Sequence, residues 1–269
     1  MEYINKEFES KSEKIEFLVK NKKSIIAQKK AVMKQADALS ILYYDTKTEA
    51  IKANNSFTPE DNKFNVKVVI NTTNLMDSHD DVHIKGLWNK SLKENKMIMH
   101  LQEHKMTFDS IISDGKDLKA FTKMFTWKDL GFKYKGETQA LIFDSTVKKE
   151  RNEFMFGQYS KGFVKNHSVG MRYVQLELAA NDDRYEDEYK VWEQYIDTIA
   201  NKELAEEKGY FWAIREAKVI EGSAVPIGSN TATPTLDNNV KGEPSEDTHY
   251  EPSNDTHKEI NYEYLIDNI

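Results

Sequence analysis

The chain has 269 residues, no cysteine and a formal net charge of -7, a length that suits one domain of about 200 residues with tails. Without cysteine, the fold can use no disulfide, no thiolate nucleophile and no sulfur-bound zinc. The acidic balance disfavours nucleic acid as the main partner, because phosphate binding requires a basic surface, and no apolar run approaches the roughly 18 residues of a membrane span.

The first 39 residues predict a long, basic, amphipathic helical arm. The stretch from Glu2 to Ala38 contains no Pro or Gly, and its apolar residues recur at helical spacing. Six lysines and no acidic residue lie between Val19 and Gln35. Such a face is commonly only solvated, but it would also suit docking to an acidic partner or to nucleic acid.

Residues 40–235 predict a strand-rich α+β domain. Short runs with alternating apolar residues mark the strands, and few helical patterns separate them, which favours an α+β core or barrel over a βαβ array. The stretch 179–209 opens with acidic residues but keeps apolar residues at helical spacing, and is therefore expected to be an ordered helical insertion. The expected strands are 64–71, 110–112, 118–125, 140–146, 168–176 and 214–225, and the expected helices are 88–95 and 152–161.

The segment 236–269 is predicted to be a disordered acidic tail. Residues 231–269 hold nine acidic residues, two lysines and three of the five prolines. An octapeptide is repeated there, because 243–250 reads EPSEDTHY and 251–258 reads EPSNDTHK. A spacer of this composition cannot bury a core, and the histidine in each copy is better explained by duplication than by metal binding.

Two closely spaced histidine pairs raise the question of a metal site. His100-Leu101-Gln102-Glu103-His104 matches the H-x-x-E-H motif, in which two histidines one helical turn apart bind zinc and the glutamate acts as a base. The flanking residues do not sustain a helical face, so the zinc hypothesis is the weaker one and no metal or other cofactor is expected. His79 and His83 flank two acidic residues in a polar run and are interpreted as surface residues.

Two later segments hold residues that acyl-transfer chemistry can use. Ser168 lies in Asn166-His167-Ser168-Val169-Gly170-Met171, an apolar run typical of a core strand, and Gly170 permits close approach of a backbone. Glu221 opens the run EGSAVPIGSN. A serine in a strand is usually only a small strand residue, and Asn166 two positions earlier excludes the G-x-S-x-G elbow of α/β-hydrolases.

In chain order, these segments resemble those of the caudovirus prohead serine protease family, over about residues 64–235. The family is related to the herpesvirus assemblins, which implies a closed, mostly antiparallel β-barrel ringed by helices and a serine–histidine mechanism. By position, the resemblance implies Ser168 as nucleophile, His104 as general base and Glu221 as orienting third member. His104 is preferred to His100 because the family histidine follows the end of an apolar strand. The matching segments are DVHIKGLWNKSL at 81–92, His104, HSVGM at 167–171 and EGSAVPIGSN at 221–230.

Two features depart from the family pattern. The insertion 179–209 separates the serine and glutamate segments more widely than expected. Assemblins also use arginine-bearing loops after the third member to stabilise the oxyanion, and no arginine follows Glu221 here; Arg172 and Arg215 lie nearby in sequence without an assignable role. A carboxylate in third place can hold the tautomer of the base and stabilise its imidazolium form.

The resemblance thus implies a phage capsid-maturation serine endopeptidase. It would cleave segments of the major capsid and scaffold proteins inside the immature prohead, in the host cytoplasm, and would form homo-oligomers. Two alternatives stay open: a non-catalytic capsid assembly or scaffold protein on the same fold, and, less favoured, a zinc metalloprotease that uses His100 and His104.

Overall fold

The computed structural model describes residues 8–34, 62–95, 97–228, 230 and 232–236. The predicted acidic tail lies outside these residues apart from Leu236, as do both ends of the predicted N-terminal arm, 1–7 and 35–39. Within the described part of the chain, no helix is long and apolar enough to cross a membrane.

The described residues form an α+β fold, which confirms the predicted class. The helices are α1 (Lys11–Ala31), α2 (Asn89–Glu94), α3 (Glu153–Ser160), α4 (Glu186–Tyr195) and α5 (Lys202–Lys208). The strands are β1 (Lys63–Thr72), β2 (Asp81–His83), β3 (Met99–Gln102), β4 (Ile111–Asp114), β5 (Leu118–Thr126), β6 (Glu137–Lys148), β7 (Asn166–Ala180), β8 (Tyr210–Val225) and β9 (Thr235–Leu236).

The strands form two sheets. One has the order β5-β6-β1-β9, and the other has the order β2-β8-β3-β4, with β7 pairing to the remaining edge of β8. The long strands β7 and β8 are antiparallel, whereas β2 and β3 run parallel to β8.

A closed barrel, which the resemblance implied, is not found among the described strands. The sheets meet at one corner, where Pro234 bridges Asn166 at the start of β7 and the next residues pair with β1. At the other end of the second sheet, β4 is only four residues long and leads through a turn into β5 of the first sheet, without a ladder between the two. The short edge strand thus ends the sheet before it can close.

The apolar core includes side chains from both sheets, and Gly222 allows the sheets to pack closely. A β-carbon at Gly222 would lie 2.5 Å from the ring of Phe143 and 2.8 Å from Ile70 Cδ1. Because successive side chains of a strand point to opposite faces, the neighbours Glu221 and Ser223 point away from this contact. Packing of the core therefore determines which face of β8 carries the polar side chains.

Helix α1 covers part of the second sheet. Its Leu18 and Ile25 join the main core, Lys29 pairs with the buried carboxylate of Asp81, and Lys22 pairs with Glu188. After the helix, the backbone N–H of Lys34 donates to the carbonyl of Met171 in β7 at 2.8 Å. Lys20 of the same run pairs with Glu16 within the helix. The basic face predicted from the sequence thus binds acidic groups of its own chain at three lysines among the described residues.

The stretch 179–209 contains α4 and α5. Trp192 and Ala205 from these helices pack with Phe211 at the start of β8 in a second apolar cluster. The two helices therefore lie against the strands that they connect, so that β7 and β8 remain paired along their whole length.

Candidate active site

Ser168 lies on β7, Glu221 lies on the neighbouring β8, and His104 lies on the turn that follows β3, the other neighbour of β8. In the ladder between β7 and β8, Ser168 lies opposite Ser223 and Gly170 lies opposite Glu221. In the parallel ladder between β3 and β8, residue 99 pairs with Glu221 and residue 101 with Ser223. Paired residues share a face of the sheet, so Ser168, Glu221 and Ser223 lie on one face, and His104 follows the adjacent strand.

A tight turn at the end of β3 presents His104. The N–H of Glu103 donates to the carbonyl of Ala224 at 2.9 Å, and both Glu103 (φ 52°) and His104 (φ 57°) are left-handed. This conformation costs a non-glycine residue roughly 1–2 kcal/mol, so surrounding contacts must hold it. One such contact is the N–H of His104, which donates to Ser223 Oγ at 3.0 Å.

The imidazole of His104 is paired with the carboxylate of Glu221. His104 Nδ1 lies 2.6 Å from Glu221 Oε1, and the hydroxyl of Ser223 donates to the second oxygen, Oε2, also at 2.6 Å. The His104 side chain is 8% exposed and that of Glu221 is fully buried. A neutral imidazole that donates from Nδ1 keeps its lone pair on Nε2, which is the tautomer that a general base requires.

Gly170 makes room for the carboxylate. A β-carbon at this position would lie 1.8 Å from Glu221 Oε1, 2.6 Å from Glu221 Cδ and 2.7 Å from Met33 Cε. Any larger residue would displace the glutamate side chain. The sequence predicted close approach of a backbone to Gly170, whereas the group that lies against it is the side chain of Glu221.

Ser168 lies near the start of β7, which pairs with β8, and is nearly buried, with 5% of its surface exposed. It lies on the same sheet face as Glu221, two ladder pairs away along β8. Of the three residues that the sequence nominated, His104 and Glu221 are therefore in contact although 117 positions apart in the chain, and Ser168 lies at the same end of the sheet, opposite Ser223.

His100, the other candidate base, lies on the opposite face of the sheet. Its Nδ1 contacts Ser145 Oγ at 2.9 Å and its Nε2 contacts the hydroxyl of Tyr159 at 3.0 Å. Tyr159 also contacts Nε2 of His167 at 2.9 Å. Burial lowers the pKa of His100 well below its usual value and that of His167 to about 4. His104, not His100, is thus the histidine beside Glu221.

The geometry also bears on the zinc hypothesis. Residues 99–102 form a strand, so His100 and His104 are not one helical turn apart as H-x-x-E-H requires. His100 points into the interior, whereas His104 lies on the turn that follows. Among the described residues, no group of three or more His, Cys, Asp or Glu side chains could hold a metal ion.

The interpretation of His83 as a surface residue was wrong. His83 is 2% exposed, because β2 pairs in parallel with β8 and the ring packs against Trp88 and Tyr173. Its Nδ1 contacts Asn71 Oδ1 at 3.1 Å, and its Nε2 lies 3.4 Å from the hydroxyl of Tyr173, which donates to Asp81 at 2.7 Å. Burial lowers the pKa of His83 to about 4. His79, by contrast, is half-buried.

Sequence reasoning missed the contribution of Ser223. Its hydroxyl joins the backbone of His104 to the carboxylate of Glu221, yet the sequence assigned it no role. A signal was present, because residues two apart in a strand share a face, so Ser223 had to lie on the same side as Glu221.

An open cleft of about 320 Å³ lies near the start of β7 and the ends of β3 and β8, and none of Ser168, His104 and Glu221 lines it. Its walls include Glu103, which precedes His104, and Asn166, two residues before Ser168. The exposed rings of Phe154 and Phe163 add apolar surface. The cleft therefore adjoins the turn that carries His104 through Glu103, without including the three nominated side chains.

Comparison of the chain with protein-family models, curated proteins and solved structures finds no match. The resemblance to the prohead proteases therefore rests on the motifs quoted above, and it stays a prediction.

Proposed function

We propose that this chain is a serine endopeptidase that cleaves segments of phage capsid and scaffold proteins during prohead maturation. The observation that best supports peptidase chemistry is the 2.6 Å contact between His104 Nδ1 and Glu221 Oε1. Glu221 lies on β8, which pairs with β7, the strand that carries Ser168. The phage substrates, the location inside the prohead in the host cytoplasm and a homo-oligomeric state come from the motif resemblance.

In the proposed mechanism, Ser168 Oγ attacks the carbonyl carbon of the scissile peptide and passes its proton to His104 Nε2. The tetrahedral intermediate then collapses: the C–N bond breaks and His104 protonates the departing amine, which leaves an ester on Ser168. His104 next removes a proton from water, which attacks the ester. The C–O bond to Ser168 then breaks, and His104 returns the proton to Ser168 Oγ as the acid product leaves. Throughout, Glu221 keeps Nδ1 protonated and offsets the charge of the imidazolium.

The mechanism does not require a closed barrel. All three residues belong to one sheet or to the turn that follows one of its strands, and the ladders of β8 with β3 and β7 fix their spacing. The proposal keeps the relationship to the assemblins but not their closed barrel, since the two sheets meet at the corner at Pro234 without closing.

The decisive experiment compares the full chain with Ser168→Ala and with Ser145→Ala. The second change removes a buried hydroxyl of β6 that contacts His100, on the face of the second sheet opposite to Glu221. Each protein is incubated with the phage capsid and scaffold proteins. In a separate reaction, each is incubated with a fluorophosphonate that labels activated serines. Mass spectrometry should find cleavage and a Ser168 adduct with the unmodified chain and with Ser145→Ala, and neither with Ser168→Ala.

Capsid and scaffold proteins that keep their intact masses in all three incubations would contradict the proposal. If the folded chain also left Ser168 unlabelled, a non-catalytic assembly protein would be the better explanation. Cleavage that persists in Ser168→Ala and stops with a chelator would instead favour metal-dependent hydrolysis.

A further inference from the structure

Ser223 is a buried serine that none of the proposed chemical steps uses. It lies on β8 two residues after Glu221 and directly opposite Ser168, with none of its surface exposed. An alanine would also fit a small, buried strand position. What distinguishes Ser223 is therefore the set of hydrogen bonds that its hydroxyl makes.

The hydroxyl of Ser223 makes two hydrogen bonds of opposite sense. It donates its proton to Glu221 Oε2 at 2.6 Å and accepts the backbone N–H of His104 at 3.0 Å. Glu221 Oε1 in turn lies 2.6 Å from Nδ1 of the same histidine. The three bonds close a ring that begins at the main chain of His104 and returns to its imidazole.

We propose that Ser223 is a positioning residue for the site formed by Ser168, His104 and Glu221. It links the orientation of the Glu221 carboxylate to the left-handed turn of His104, so that the imidazole and its partner cannot move independently. This inference rests on the proposed function.

The burial of the ring explains why the hydroxyl matters. Without it, Glu221 Oε2 would lose this donor inside a fully buried site, at the cost of an incompletely bonded charged group. At the same time, the N–H of His104 would lose an acceptor that helps to hold a strained backbone conformation. Both changes loosen the imidazole relative to Ser168, and a displacement of about 1 Å can reduce catalysis about 100-fold.

Ser145 offers a matched control. It is also fully buried, and its Oγ contacts a histidine ring nitrogen, His100 Nδ1, at 2.9 Å and Ser113 Oγ at 2.6 Å. Its network lies on the other face of the sheet from Glu221. A loss caused merely by removing a buried serine hydroxyl next to a histidine should therefore appear in Ser145→Ala as well.

The test uses the full chain with Ser223→Ala, Ser223→Thr and Ser145→Ala. Turnover is measured on a peptide that spans a bond cleaved in the capsid protein. Ser223→Ala should lower kcat about 100-fold with little change in KM, because the lost contacts act on the enzyme rather than on bound substrate. Ser223→Thr, which keeps the hydroxyl and suits a strand, should recover most of kcat, and Ser145→Ala should leave kcat unchanged.

A second readout follows the ring without turnover. Proton NMR of the chain with labelled histidine reports the Nδ1 proton of His104, identified by its absence in His104→Gln. This resonance should shift or broaden in Ser223→Ala and remain in place in Ser223→Thr and Ser145→Ala. If Ser223→Ala does not fold, Ser223→Cys provides the comparison, since a thiol is only a weak donor.

An unchanged kcat and an unchanged Nδ1 resonance in Ser223→Ala would overturn the inference. Equal losses in Ser223→Ala and Ser145→Ala would also overturn it, since burial rather than the bridge would then be responsible. If the unmodified chain cleaves nothing, the proposed function fails, whereas the Nδ1 resonance still decides whether Ser223 holds the pair of His104 and Glu221.

Discussion

The same strands carry two histidine clusters on opposite faces of the second sheet. On one face, His104 contacts the carboxylate of Glu221. On the other, His100 and His167 both contact the hydroxyl of Tyr159. The two clusters are close in sequence. Strand β3 contains His100 and leads into His104, and His167 directly precedes Ser168.

The two clusters differ in the charge of the partner. His100 and His167 form hydrogen bonds with hydroxyls and a backbone carbonyl, and burial lowers the pKa of both rings. They therefore stay neutral at ordinary pH and cannot take up a proton in a catalytic cycle. His104 has a carboxylate partner that can offset the imidazolium charge. The partner, rather than the residue type, thus separates a structural histidine from a candidate base.

The largest expected effect on this comparison comes from Glu221→Gln. A neutral amide cannot offset the charge of protonated His104, so kcat should fall on the order of 10⁴-fold, as when the carboxylate of a serine triad becomes an amide. Steady-state kinetics on a capsid-derived peptide measures this loss. Glu177→Gln is the control, because Glu177 lies on neighbouring β7 in an exposed pair with Arg215, where little change is expected. A loss below tenfold in Glu221→Gln would put His104 in the same class as His100.

Tyr159→Phe should affect stability and leave activity alone. The change removes the hydroxyl shared by His100 and His167 and leaves both buried rings with one hydrogen bond fewer. Because unsatisfied buried polar groups cost about 1–3 kcal/mol, the free energy of unfolding should fall by that amount in a denaturant titration. Turnover per folded molecule should match that of the unmodified chain. A reduced kcat in a fully folded variant would show that the interior cluster contributes to the chemistry after all.

The smallest expected effect is the pH dependence contributed by His167. An unfolded histidine titrates near pH 6.5, whereas burial lowers the pKa of folded His167 to about 4. Between these values the unfolded chain binds more protons, so the stability contributed by neutral His167 is complete above pH 6.5 and is lost as the pH falls toward 4. The stability difference between the unmodified chain and His167→Gln should therefore narrow from pH 7 to pH 4. A difference that stays constant would mean that His167 can be protonated in place.

Much of the secondary structure follows from local patterns. The alternation of 64–71 and of 214–225 predicted strands that are observed as β1 (Lys63–Thr72) and β8 (Tyr210–Val225), because a period of two needs no information from distant residues. Helix α1 lies within the predicted stretch from Glu2 to Ala38 for the same reason. The closed barrel was not predicted correctly, since closure requires pairing between the edge strands of the two sheets. The short edge strand β4 forms no ladder with β5.

The sequence by itself determined the longer strands and the main helices, because propensity and periodicity are local properties, and its motifs nominated three residues for the site. Only the tertiary structure placed His104 rather than His100 beside Glu221, showed that the Glu221 side chain lies against Gly170 and revealed the bridge made by Ser223. Each of these depends on the register of β8 with β3 and β7, and a shift of one residue would send Glu221 to the opposite face. That register is set by the packing of both sheets around Gly222, between residues more than 70 positions apart in the chain.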